Sequence, residues 1–172
     1  MPAIRRGASR VTDRLTTRDR QLAAWLKREG FLRPLLTVAA LRNANIKPQT
    51  AAALLSKETA NGSNIFGCDH GPCGDGPPYC RQNVTERRAK RLRASDFSNG
   101  VGPTQLTFEG YVDRARRAGG EWKPYVNMVT GFRIFRELFE AEGNSIWGAA
   151  KRYNGRAEYA NDFVGRREAY ER

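Results

Sequence analysis

Apolar residues along this chain recur at intervals of three and four, the spacing of helices with one buried face, and strand-like alternation is almost absent. Thr16 or Thr17 can cap a first helix that carries Leu22, Trp25 and Leu26 on one face and stops at Gly30. Pro34 suits the opening turn of a second helix, with Leu35, Leu36, Val38, Ala39 and Leu41, ending near Asn43–Asn45. Pro48 opens a third, whose Ala51, Leu54 and Leu55 share a face. Asn61 and Gly62 supply its left-handed stop.

Residues 61–83 are rich in Gly, Pro and Asn and read as a loop without a core element. A basic helix follows from Thr85 to Ala94, then a Gly-rich turn from Asn99 to Gly102. Thr107 is placed to cap a helix of Phe108 to Ala118, which Gly119 and Gly120 end. The longest helix spans about Tyr125 to Glu142. Its stripe of Val129, Phe132, Phe135, Leu138 and Phe139 marks it as the centre of the core. Ser145 caps a helix through Tyr153, Asn154-Gly155 interrupts the chain, and Ala157 to Tyr170 forms the last helix. The expected fold is mainly α: a single helical domain over 16–172, with a loop insertion at about 61–84 and at most a small β element. A basic arm, residues 1–15, precedes it.

Charge narrows the partners. With 30 Lys and Arg against 18 Asp and Glu, the net charge is +12, which attracts polyanions such as nucleic acid, anionic lipid or bacterial wall polymers. Much of it lies on the basic helix, in Arg87, Arg88, Lys90, Arg91 and Arg93. No run approaches the roughly 18 apolar residues of a membrane span. The N-terminus has arginines but no apolar stretch behind them, so it is no secretory signal.

Two groups of residues carry candidate chemistry. Glu58 lies in the last turn of a helix made almost entirely of Ala and Leu. Both the helix dipole and apolar packing there disfavour an anion, so its pKa is expected to rise. A carboxyl kept protonated near neutral pH is the group a glycosidase uses to protonate a leaving oxygen. The three cysteines and the one histidine are gathered as Cys68, His70, Cys73 and Cys80. They form a Cys3His set suited to a structural zinc knuckle, or else free thiols or one disulfide in a loop. Trp122, in a turn before the long helix, is a candidate sugar contact.

Three pieces in order carry a resemblance: Glu58 followed by Asn64-Ile65-Phe66-Gly67; Asn99-Gly100-Val101-Gly102-Pro103-Thr104-Gln105-Leu106-Thr107; and Asn127 with Gly131, leading to Tyr153-Asn154-Gly155. Together they resemble the goose-type lysozymes and soluble lytic transglycosylases, and more narrowly the lysozyme-like domain of endolysins from phages of actinobacteria. Thr59 stands where many relatives carry Ser, and Pro103-Thr104 replace the usual Leu-Met. The resemblance implies an α+β lysozyme-like fold with a catalytic cleft and Glu58 as the acid. Gln105, Tyr153, Asn154 and Asn127 would line the sugar site.

Asp96 stands at the spacing from Gln105 at which goose-type lysozymes carry a water-positioning carboxylate, so the resemblance implies that role, or else Asp96 forms a turn after the basic helix. Asp69 and Asp75 are lesser candidates. The implied activity is cleavage of the β-1,4 bond between N-acetylmuramic acid and N-acetylglucosamine, by hydrolysis or by transglycosylation to 1,6-anhydro products, with no catalytic cofactor. Such an enzyme would be made in the host cytoplasm and reach the wall through a holin-type lesion. It would act as a monomer on peptidoglycan, helped by anionic wall polymers, with no specific nucleic-acid target. A basic helical module that binds nucleic acid without catalysis is the alternative of another class.

Overall fold

The computed structural model describes residues 11–67, 82–94 and 99–171. Eight helices are described in full: α1 (Thr17–Arg28), α2 (Pro34–Ala44), α3 (Pro48–Thr59), α4 (Glu86–Arg93), α5 (Glu109–Arg117), α6 (Pro124–Ala141), α7 (Ile146–Asn154) and α8 (Ala157–Ala169). The chain is mainly helical. Among the described residues, no helix is long and apolar enough to cross a membrane.

Local chemistry explains most boundaries. At α1 the Thr16 hydroxyl accepts from the Asp19 amide (3.2 Å), and the Asp19 carboxylate accepts from the Thr16 amide (3.0 Å), a reciprocal capping box. The other Asp19 oxygen takes Arg42 Nε at 2.7 Å and so fastens α1 to α2. Ser145 caps α7 by accepting from the Gly148 amide.

Two boundaries differ from expectation. The left-handed stop of α3 begins on Ala60 (φ 47°) and continues through Asn61 and Gly62. The Asn61 amide donates to the Glu29 carbonyl and Arg33 to that of Gly62, so contacts with the α1–α2 turn hold this run in place. At α5 the cap position falls to Phe108, while the Thr107 hydroxyl donates instead to the Gln105 carbonyl.

The helical body is built around α6. It packs against α2, α5 and α7, with α1 on α2, α7 on α8, and α3 on α8. Along the expected stripe Val129, Phe132, Phe135 and Leu138 are buried and Phe139 packs at the edge, and Val126, Met128 and Ile134 are buried too, which leaves Arg133, Arg136, Glu137 and Glu140 as the polar face. Val11 and Leu15 pack on this body, so the end of the expected arm belongs to the domain.

A smaller lobe stands beside it, with its own cluster of Phe66, Val84, Ala89, Leu92 and Val101. Isolated β-bridges join Ile65 to Asn83, Phe66 to Val101, and Val101 to Leu106. The described ends of the loop expected to lack a core element therefore supply one, because Phe66 is fully buried and its amide donates to the Gln82 carbonyl.

Candidate active site

Glu58 is half-buried in the last turn of α3, and the Tyr159 hydroxyl donates to its Oε1. Tyr159 stands in the first turn of α8, which lies along α3. Arg167 donates to Thr50 Oγ1 (3.2 Å), and Lys57 pairs with Asp162 at 2.6 Å. Phe163, one turn beyond Tyr159, stacks on Phe135 of α6, so the helix that orients the carboxyl is itself seated in the core.

The loop of residues 99–106 closes the other side. Thr59, next to Glu58, donates its hydroxyl to the Pro103 carbonyl at 2.8 Å. Tyr153 donates to the Thr104 carbonyl at 2.7 Å. Asn127 holds the loop from beneath: Oδ1 accepts from the Thr104 amide (3.0 Å) and hydroxyl (2.9 Å), while Nδ2 donates to the Val101 and Glu121 carbonyls. Two glycines make this approach possible. A methyl group on Gly131 would sit 2.3 Å from Thr104 Oγ1, and one on Gly102 would sit 2.6 Å from Asn127 Nδ2.

The electrostatics follow from this enclosure. Burial pushes the Tyr153 and Tyr159 phenols far above their ordinary range, and the Glu58 carboxylate beside them pushes the same way. Both therefore remain O–H donors at any ordinary pH. Asp162 is spent on Lys57 and Arg166, which hold its carboxyl below the usual range.

Of the residues expected at the site, Glu58, Tyr153 and the loop bearing Gln105 converge. Gln105 itself turns inward, with φ 44°, and its Nε2 donates to Gly102 O (2.8 Å) and Ile65 O (3.1 Å). Its amide nitrogen shapes the loop rather than facing a sugar. Asn154 is exposed at the end of α7, beside the left-handed Gly155.

One expectation is corrected. Asn127 is 0% exposed with its amide committed to backbone, so it positions the loop and does not touch substrate. Trp122 covers Gly120 and packs in the small lobe, with Arg93 and Lys123 each 5.6 Å from its ring centre. Asp96, Asp69, Asp75 and the Cys68, His70, Cys73, Cys80 set lie outside the described residues. Among the described residues, no group of His, Cys, Asp or Glu is gathered to hold a metal.

Sequence reasoning missed Tyr159 and Thr104. The only trace of Tyr159 was an aromatic in the first turn of the helix after Tyr153-Asn154-Gly155, and periodicity alone assigns it to core. Of the basic helix, Arg88 is turned to the Asn83 carbonyl (2.7 Å) and Arg93 to buried Glu121 (3.5 Å). Arg87, Lys90 and Arg91 remain exposed and, with Glu86 and Ala94, line an open depression of about 630 Å³. No family model matches the chain, and no curated protein or solved structure matches it.

Proposed function

We propose that this chain is a lysozyme-like peptidoglycan glycosidase in which Glu58 protonates the oxygen leaving between N-acetylmuramic acid and N-acetylglucosamine. The observation that carries the reading is the Glu58 carboxyl: half-buried at a helix end and oriented through Oε1 by a phenol that stays protonated. Glycosidic cleavage needs one carboxylic acid held in a fixed direction over the bond, shielded from bulk water by an aromatic edge. Tyr159 and Tyr153 supply the edge, and the Thr104 loop supplies the opposite wall. General-acid cleavage of this kind needs no metal, so a zinc held by Cys68, His70, Cys73 and Cys80 would be structural.

Replacing the acid with its amide tests the reading. Glu58→Gln should lower peptidoglycan clearing by at least about a hundredfold, the usual contribution of a general acid, with the melting temperature unchanged. Clearing at the wild-type rate would remove Glu58 from the mechanism.

Product mass separates the two routes. Hydrolysis, with Asp96 as the candidate base, leaves a reducing muramic acid. Transglycosylation, with the substrate's own 6-hydroxyl as nucleophile, leaves a 1,6-anhydro ring lighter by one water.

One observation favours a second reading. The exposed Arg87, Lys90 and Arg91 of α4 suit a phosphate-bearing polymer, either a wall polymer beside the glycan or nucleic acid. A protein that binds DNA tightly but leaves peptidoglycan intact would be a basic helical binding module instead.

A further inference from the structure

Three consecutive residues at the end of α3 are each taken up by a residue of α8. Ser56 Oγ accepts from Arg166 Nη1 (3.4 Å), Lys57 Nζ pairs with Asp162 Oδ2 (2.6 Å), and Glu58 accepts from the Tyr159 hydroxyl. Tyr159, Asp162 and Arg166 stand at i, i+3 and i+7, on one face of α8. Arg166 Nε also bonds Asp162 Oδ2 at 2.9 Å, so the row is tied along α8 as well as across to α3. Lys57 closes it. Its ammonium lies over the Tyr159 ring, 5.4 Å from the centre.

Partly exposed ion pairs contribute little to stability, so as a fastening this arrangement is weak. Its effect on the neighbouring acid is of another kind. A cation over a phenol ring draws electron density toward itself and makes the O–H a better donor. A better donor favours the carboxylate of Glu58 over its carboxylic acid, so Glu58 gives up a proton more readily. Tyr153, on the α7 side, remains an uncharged phenol, and the loop of residues 99–106 opposite contains no ionisable side chain. The charges fixed within the row are those of Lys57, Asp162 and Arg166.

We propose that Lys57, held by Asp162, is a positioning residue that sets the acid strength of Glu58 through the Tyr159 hydroxyl. The two partners act with opposite sign. Lys57 weakens the hold of Glu58 on its proton, and Asp162, by neutralising Lys57, limits that weakening. The consequence for rate rests on the glycosidase reading, in which Glu58 gives its proton to the leaving oxygen and then persists as a carboxylate. The effect on the titration of Glu58 does not.

The test follows the Glu58 carboxyl directly, by carbon-13 NMR of the full chain, beside pH–rate profiles of peptidoglycan clearing. A general acid works while protonated, so clearing falls as pH rises through the Glu58 titration. Lys57→Met keeps the stem and removes the charge. It should move the titration and the alkaline limb of the profile to higher pH, with clearing on that limb about threefold faster. Asp162→Asn leaves Lys57 unneutralised and should move both to lower pH, with clearing on that limb about threefold slower. About threefold is what one partly exposed charge a side chain away supplies. Lys57→Arg, which keeps the charge, should leave both close to wild type. In a Tyr159→Phe background, Lys57→Met should move the titration less than half as far, because the route through the phenol is gone.

The tuning pair is overturned if Lys57→Met and Asp162→Asn move the titration the same way, the mark of a shared structural disturbance, or if neither moves it. An equal movement with and without the Tyr159 hydroxyl overturns the route through the phenol. Opposite movements in a protein that clears no peptidoglycan keep the pair and remove the glycosidase. Clearing that needs Glu58, with a titration blind to both substitutions, removes the pair and leaves the glycosidase.

Discussion

The helical body and the small lobe are held together by different physics, and the candidate site lies on their seam. The body is an apolar cluster of close-packed side chains around α6, with Phe132 and Phe135 at its middle. Among the described residues the lobe has five buried apolar residues, and it relies instead on polar anchors: Asn64 donates to the Val84 and Trp122 carbonyls, Asn127 to those of Val101 and Glu121. Its Glu121, 1% exposed, sits between Arg116 and Arg93. The two buried polar atoms without a partner among the described residues, Asn64 Oδ1 and Glu121 Oε2, both belong to it.

Apolar packing tolerates small shifts, whereas a hydrogen-bonded loop holds one geometry or loses it. A site that needs a carboxyl and a loop in fixed register is served by having its acid on the first kind of structure and its opposite wall on the second.

Substitutions can separate the two regions. The largest effects expected are at Asn127 and Phe132. Asn127→Ala strands the Thr104 amide and two carbonyls, which should cost about 3 kcal/mol or more. Amides of Val101, Gly102 and Leu106 should then exchange with deuterium while the helices stay protected, and activity should vanish although the body is folded. Phe132→Ala should cost about 3–5 kcal/mol by opening a cavity, and lower the melting temperature of the body and loop together. If the two variants give the same exchange pattern, body and lobe are one cooperative unit and the contrast fails.

Tyr159→Phe sharpens the contrast at the seam itself. It removes only the hydroxyl that orients Glu58, so in the glycosidase proposed above, where Glu58 is the protonated acid, kcat should fall about three- to tenfold, the worth of one hydrogen bond between uncharged groups, with little change in melting temperature. An unaltered kcat would mean that α8 supports the carboxyl by packing alone.

The smallest effect is in acid. Asp162 is held below the usual carboxylate range by Lys57 and Arg166, and Glu137 likewise by Arg114. Burial would raise Asp19, but its bonds from Thr16 and Arg42 prevail and lower it. Each such group binds its proton less readily folded than unfolded. Its stabilising effect is therefore complete above the unfolded value near 4 and fades as pH falls through the lower folded value. All three join elements of the helical body or its caps, so chemical denaturation at pH 3 should show the body weakened first. A lobe that opens before the body in acid would reverse the assignment.

Much of the fold was legible along the chain. The capping box at Thr16, the prolines opening α2 and α3, the cap at Ser145 and the turn at Gly155 are local chemistry, set within a few residues. Those signals place most helix ends within a residue or two of where they stand. The apolar stripe of α6 likewise named its own burial. Glu58 was legible as an acid at the end of an apolar helix, because that setting is local too.

What surrounds Glu58 was not, because none of it is local. Tyr159 lies 101 residues away in sequence, and only the packing of α8 on α3 brings its hydroxyl to the carboxyl. Asn127 looked like a polar residue available to substrate, and folding turned it into the buried strut of a loop 23 residues before it. Trp122, read as a ring in a turn, became a half-buried part of the lobe's cluster, while Phe108, read as the start of a helix, was left in the open. Periodicity says which face of an element is apolar. It does not say which polar group will find a partner on another element, and that pairing decides the surroundings of the Glu58 carboxyl.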